Sequence, residues 1–191
     1  ENDTDRDAAD LLSVVGVTTT GTLGTVTDLS DGTLSYDPAG QFDALPDGAS
    51  ATDVFEYQLS DGIVTVLVPF TVQIAGLNDT PTAVADTGTG FEVNETDQLT
   101  TASVLLNDFD IDADDTFSLL SVDTSGVSGT ISHNGDGTFE YTPAEFHNGL
   151  GDGQTDTETF TYTIEDAAGA LWTGNVTITV MGENDAPVAV D

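Results

Sequence analysis

The sequence predicts an all-β chain of tandem two-sheet sandwiches, on three observations. Apolar and polar residues alternate with period two: Phe160, Tyr162 and Ile164 against Thr161, Thr163 and Glu165, then Val176, Ile178 and Val180 against Thr177 and Thr179. That is the pattern of half-buried antiparallel strands. Such segments recur at roughly ten-residue spacing between Gly- and Asp-rich turns, with no helical periodicity longer than a turn. Finally, the whole arrangement repeats.

A shift of 105 positions lays Asn2, Asp3, Asp5, Asp7 and Asp10 on Asn107, Asp108, Asp110, Asp112 and Asp115. The register holds without a gap through "SDGTLSYDPA" (30–39) on "GDGTFEYTPA" (135–144) to "TDVFEYQLSD" (52–61) on "TETFTYTIED" (157–166). After one inserted residue the shift becomes 106, and "GLNDTPTAVAD" (76–86) meets "GENDAPVAVD" (182–191). Repetition on this scale means tandem domains, not a solenoid of short units. Residues 1–77 read as a first repeat lacking its N-terminal quarter, the counterpart of 81–106. Residues 78–184 read as a complete second repeat and 185–191 as the start of a third, so the chain looks like an excerpt of a longer array.

Taken in order, "LSDGT" (29–33) is a hairpin turn with Gly available for positive φ. Phe55, Tyr57 and Leu59 mark one strand, and Phe70, Val72 and Ile74 the next. Asn78-Asp79 is a linker whose exit Pro81 stiffens. In the second repeat "NGDGT" (134–138), the two strands above and Asn184-Asp185 with Pro187 restate that order.

Strand length places the carboxylates. A strand over 158–165 spans about 26 Å at about 3.3 Å per residue, so Asp156 and Glu158 lie near one pole of the domain and Asp166 near the other. The chain turns at 167–170 and returns antiparallel, bringing Asn184 and Asp185 back to Asp156 and Glu158. By the same reasoning Asn78 and Asp79 emerge beside Asp53.

Charge narrows the partners. Thirty-five acidic residues face one Arg and no Lys, a formal net charge of -34. Such a field repels nucleic acid and anionic membrane surfaces and attracts cations. The chain has no Cys, which excludes disulfides, thiolate metal sites and Cys nucleophiles. No apolar run approaches the roughly 18 residues of a membrane span, and no signal peptide opens the chain. The segment is expected to be internal to a longer protein, or exported by a route it does not itself show.

Asp108, Asp110 and Asp112 alternate along one loop, and carboxylates on one side of an extended segment repel unless a cation stands among them. Ca²⁺ suits them, taking six to eight oxygen ligands in adaptable geometry. An EF-hand is rejected: its sixth position is Ala113 and its twelfth Leu119, where Gly and a bidentate Glu are wanted, and Ala8 and Val14 fail likewise in the first repeat. The glycine-rich nonapeptide of calcium β-rolls is absent.

"GENDAPVAVD", "VNET" (93–96), the alternating Asp run, "TDTETFTYTIED" and the long period together resemble the cadherin-like tandem repeats of giant bacterial RTX-type surface adhesins, and animal cadherins more distantly. The resemblance implies an immunoglobulin/cadherin-like sandwich with Ca²⁺ at the domain junctions. It implies that the upper domain supplies Glu95, Asp156, Glu158 and the linker Asn184-Asp185, and the lower domain an Asp-x-Asp run and the Asp ending a late strand. For the junction within this chain the implied set is Asp53, Asn78, Asp79, Asp108, Asp110, Asp112 and Asp166. Asp3, Asp5, Asp7 and Asp61 make the equivalent half-site of the first repeat. Ala51 stands where the second repeat has Asp156, so the two junctions are not expected to hold equal numbers of ions.

The remaining residues read blandly. Asp43, Asp47, Asp123, Asp136 and Asp152 are turn residues, His133 and His147 surface or loop residues, and Trp172 strand packing. The sequons at Asn78, Asn94 and Asn175 matter only in a glycosylating host. Catalysis is not expected, since no His, Cys or Lys occurs in both repeats. The function expected is a calcium-rigidified extender at a bacterial cell surface or outside the cell, with neighbouring repeats as partners. The runner-up is a filament subunit completed by β-strand addition from other copies. A glycan- or ice-binding face finds no flat Thr array or aromatic platform.

Overall fold

The computed structural model describes residues 3–6, 11–187 and 189, in two compact units, Glu1–Asn78 and Asp79–Asp191. The first unit contains β1 (Ser13–Thr18), β2 (Thr25–Asp28), β3 (Leu34–Asp37), β4 (Ser50–Ser60) and β5 (Thr65–Ala75). Strands β1, β4 and β5 form one antiparallel sheet in that order, and β2 pairs with β3 as a hairpin.

The second unit contains β6 (Glu92–Asn94), β7 (Leu99–Thr100), β8 (Phe117–Asp123), β9 (Thr130–His133), β10 (Phe139–Thr142), β11 (Thr155–Asp166) and β12 (Leu171–Met181). One sheet runs β6-β12-β11-β8 and the other β7-β10-β9. Only β6 lies parallel to its neighbour, pairing Val93 with Val180. The inward phase of every long strand meets between the sheets: Phe139 and Tyr141 from one, Phe160, Tyr162, Ile164, Val176, Ile178 and Val180 from the other. Phe91, Val93 and Val104 from the opening segment complete this core, in which Phe139 meets Phe160 edge to face at 4.9 Å between ring centroids.

Internal repetition extends to structural detail. Strands β2 to β5 fall on β9 to β12 at the shifts read from the sequence, and β1 falls within β8. Strands β1 and β8 each carry a bulge at the same place, Val15 in one and Leu120 in the other, where pairing jumps a residue. Nothing among the described residues of the first unit matches β6 and β7. The consequence is seen in burial: Phe55 is its only buried apolar side chain in the described core, Phe70 is 50% exposed, and Leu34, Tyr36, Phe55, Tyr57 and Phe70 line an open cavity of about 390 Å³.

Trp172 departs from its expected packing. It keeps the inward phase of β12 but lies at the strand's start, beyond the buried run from Gly174 to Val180, and is 46% exposed. Among the described residues no helix is long and apolar enough to cross a membrane.

Candidate metal centre

Pairing of β11 with β12 sets Thr155 against Met181 and Glu165 against Leu171, so the two ends of this ribbon lie at opposite poles of the second unit. At one pole β11 ends in Asp166, and the loop after Asn107 runs past it. Asp110, Asp115 and Asp166 there offer carboxylate oxygens within 4.8 Å of one another. Backbone amides hold each in place: Asp112 N–H donates to Asp110 Oδ1 at 2.9 Å, Thr116 to Asp115 Oδ1 at 2.6 Å and Ala170 to Asp166 Oδ1 at 2.7 Å. Asp112 is buried beside them and its Oδ2 accepts the Asp79 N–H at 2.7 Å. Asp110 Oδ2 and Asp112 Oδ1 are buried and meet no hydrogen-bond partner. Burial, and then the charges of Asp112, Asp115 and Asp166, push the Asp110 carboxyl above the usual range.

The three alternating aspartates therefore do not converge. Asp108 turns inward, where its Oδ1 accepts the Tyr162 hydroxyl at 2.9 Å and the Val84 N–H at 2.8 Å. The physical reason is Tyr162: a phenol buried in a core must find an acceptor, and the first aspartate of the run supplies it. The first unit does the same, Tyr57 donating to Asp3 at 2.8 Å. Asp115 takes the place expected for Asp108. Its match to Asp10 in the repeat register was the available signal.

In the first unit Asp5 and Asp61, equivalent to Asp110 and Asp166, line one hollow of about 240 Å³. Asp61 Oδ1 also accepts the Ile63 and Val64 N–H groups of its hairpin. Asp7, like Asn2 and Asp10, lies outside the described residues. Asn78 closes the first unit half-buried, and Asp79 opens the second.

Asp53 belongs to the first unit. Buried on β4, its two oxygens accept N–H groups of Leu23, Gly24 and Val54 and the Tyr36 hydroxyl, the last at 2.8 Å. Its carboxylate is taken up in tying the β2-β3 hairpin to β4. Burial alone would raise its pKa, but these donors outweigh burial and hold it below the usual range. Burial and the Asp53 bond push the Tyr36 phenol up to about 12.

At the second unit's other pole, Glu95 accepts Leu150 N–H at 3.2 Å and Glu183 N–H at 3.0 Å, fixing the chain just before Asn184. Glu158 Oε2 accepts Ser128 N–H at 2.8 Å, while its Oε1 is buried without a partner. Asp156, 50% exposed, stands beside it on β11, and Asn184 and Asp185 are exposed, joined by an Asn184 Nδ2 bond to the Asp185 carbonyl. His147, read as a surface or loop residue, is in a loop but not at the surface. It lies in a 3-10 turn (Glu145–Gly149), 1% exposed, with Nε2 at 3.4 Å from Asp156 Oδ2 and 3.6 Å from Glu158 Oε1. His133 is exposed.

Residues 78–182 match the description of a bacterial cadherin-like domain, and residues 1–75 that of a cadherin-like domain. The chain belongs to the bacterial cadherin-like family. No curated protein sequence matches it. Among solved structures, cadherin-like likeness extends to human protocadherin-24 EC1-2, at 14% identity over 95% of this chain and 86% of that one, TM-score 0.48. Protocadherin gamma B2 domains 1–5 match at 17% identity over 97% and 35%, TM-score 0.46, so the chain spans about a third of that structure. The endo-fucoidan hydrolase MfFcnA4 of glycoside hydrolase family 107 matches at 19% identity over 91% and 24%, TM-score 0.30.

Cadherin-like domains are typically extracellular, adhesion-type modules that generally bind calcium. The residues at the Asp166 pole fit such an ion: three carboxylates, orphaned buried oxygens on Asp110 and Asp112, and all-oxygen donors of the hard type Ca²⁺ takes.

Proposed function

We propose that this cadherin-like chain is a calcium-rigidified extender of a bacterial cell-surface or extracellular adhesin, structural and not catalytic. The Asp110-Asp115-Asp166 cluster carries the proposal, because three fixed carboxylates this close repel one another until a divalent cation neutralises them. Ca²⁺ there would couple the loop after Asn107 to the end of β11. Because Asp112 in that loop already binds the Asp79 N–H, the ion would also stiffen the start of the second unit. Glu95, Asp156, Glu158, Asn184 and Asp185 would serve the following junction. Small-angle scattering of the chain in millimolar Ca²⁺ and in chelator tests this: the extender lengthens and narrows its distance distribution with Ca²⁺, and an unchanged distribution rejects it.

A second reading, assembly by β-strand addition, is favoured by one observation. In the second unit β12 is covered by β6, whereas β5, its equivalent, has no strand on that side among the described residues and leaves Phe70 half exposed. Concentration-dependent polymerisation, followed by light scattering, would favour this reading over the first.

A further inference from the structure

We propose that Asp114 is a positioning residue of the calcium cluster, acting through its left-handed backbone and not through its carboxylate. Taking Asp110, Asp115 and Asp166 as the ligands of the calcium reading above, on which this rests, Asp114 is what brings Asp115 into place.

Asp114 has φ 62°, in the left-handed region, whereas every other described residue of the second unit with positive φ is a glycine. A Cβ crowds the following carbonyl there, so the conformation is costly for all but Gly, and least so among the others for Asp and Asn. A non-glycine residue held in it marks a place where the surroundings need that backbone direction. What needs it is the next residue. Asp115 N–H donates to the Asp112 carbonyl at 3.3 Å, closing a turn over 112–115 in which Asp114 stands third. Positive φ at the third position is ordinarily met by Gly or Asn. Asp114 thus sets the direction in which the chain leaves the turn, and with it the approach of Asp115 to Asp110 and Asp166. The Asp115 side chain cannot make up for a change of direction, because its Oδ1 is tied to the Thr116 N–H at 2.6 Å.

The carboxylate of Asp114 has no such part. It is exposed, makes no side-chain hydrogen bond among the described residues, and is not one of the converging groups. The first repeat keeps the three ligand positions, as Asp5, Asp10 and Asp61, but has Ala9 at the position of Asp114. Neither repeat has a β-branched residue there, the kind that positive φ excludes most strongly. Without an ion the three carboxylates repel one another, and opening the turn relieves both that repulsion and the crowded Asp114 backbone. The cost of closing the turn therefore falls on ion binding, and residue 114 tunes calcium affinity through its tolerance of positive φ.

The test is a Ca²⁺ titration of the whole chain followed at the Ala170 amide resonance, whose N–H donates to Asp166 and so reports this pole. Asp114→Asn removes the charge and keeps the tolerance of positive φ, Asp114→Gly removes charge and crowding together, and Asp114→Val removes the charge and adds a β-branch. The calcium Kd should stay within about threefold for the Asn and Gly variants, an exposed charge being screened, and rise about fivefold or more for Asp114→Val. Calcium-free melting of the second unit should not separate Asp114→Val from Asp114→Asn, since the open turn asks nothing of residue 114. Equal weakening in all three variants would mean that Asp114 acts by its charge. That result, an unchanged Kd in Asp114→Val, or a loss of calcium-free stability specific to Asp114→Val overturns the positioning role and leaves calcium binding in place. Absence of any calcium-dependent shift at Ala170 in the unaltered chain overturns the calcium reading itself, and the positioning role with it.

Discussion

Tyr162, fully buried on β11, donates its hydroxyl to Asp108 at 2.9 Å. Tyr57 makes the equivalent bond to Asp3, so each unit ties the first aspartate of its acidic run to a core tyrosine. That bond pins the loop to the sandwich and leaves Asp110 and Asp115 to the acidic cluster. Tyr162→Phe leaves Asp108 with the Val84 amide alone, and should cost about 1–3 kcal/mol in calcium-free urea unfolding of the second unit. Calcium stoichiometry should not change.

A sharper division is expected within the acidic run. Asp110→Asn, Asp115→Asn and Asp166→Asn each remove a charge from the cluster and should raise the calcium Kd at least tenfold, a change of about 1.4 kcal/mol or more. Asp108→Asn, whose carboxyl faces Tyr162, should alter it far less. Calorimetric titration of the four variants checks the ordering.

The fold was legible because period two and the long repeat both survive into structure: the inward phase of β11 and β12 is the core, and the hairpin turns use Gly32 and Gly137 at positive φ. The poles were legible too, since strand length alone separates Asp156 from Asp166. What strand phase could not show was where each carboxylate points. Asp53 and Asp108 share composition with Asp110 and Asp166, but a neighbouring tyrosine hydroxyl captures the first two. His147 was misjudged because a single residue in a polar segment has no period to betray burial, and the 3-10 turn that buries it is too short to leave one.

Asp86 should make the calcium-free second unit more stable in mild acid. Burial, and the nearby charge of Asp108, raise its pKa from 3.8 to about 6 against the bonds it receives from Tyr162 and Asn107. A raised folded-state pKa contributes stability that is complete below the ordinary carboxylate value and is lost as pH rises through about 6. Denaturant midpoints should fall across that window, and Asp86→Asn should flatten the slope.

Asp53 works in the opposite sense. Its folded-state pKa is depressed, so its contribution to the first unit is present above the ordinary carboxylate value and is lost as pH falls through the lowered one. Asp53→Asn should remove part of the acid sensitivity of the first unit's unfolding while lowering its melting temperature near neutral pH. Thermal scans over pH, followed at Tyr36 and Tyr57, check both.

Gly174 faces Tyr162 across β11 and β12, and a Cβ there would lie 2.5 Å from the tyrosine ring and 2.7 Å from its hydroxyl. The ring occupies the space a side chain would need, which lets the phenol reach Asp108. The first unit has Val68 opposite Tyr57, where the tyrosine is only half-buried. Gly174→Ala must displace the ring, so it should cost the overpacking penalty of about 1–3 kcal/mol and weaken the Asp108 bond as well. Combined with Tyr162→Phe, the two losses should be less than additive, because the hydroxyl is already gone; a double-mutant cycle in urea measures the difference, and strict additivity would show that the ring moves without breaking its bond.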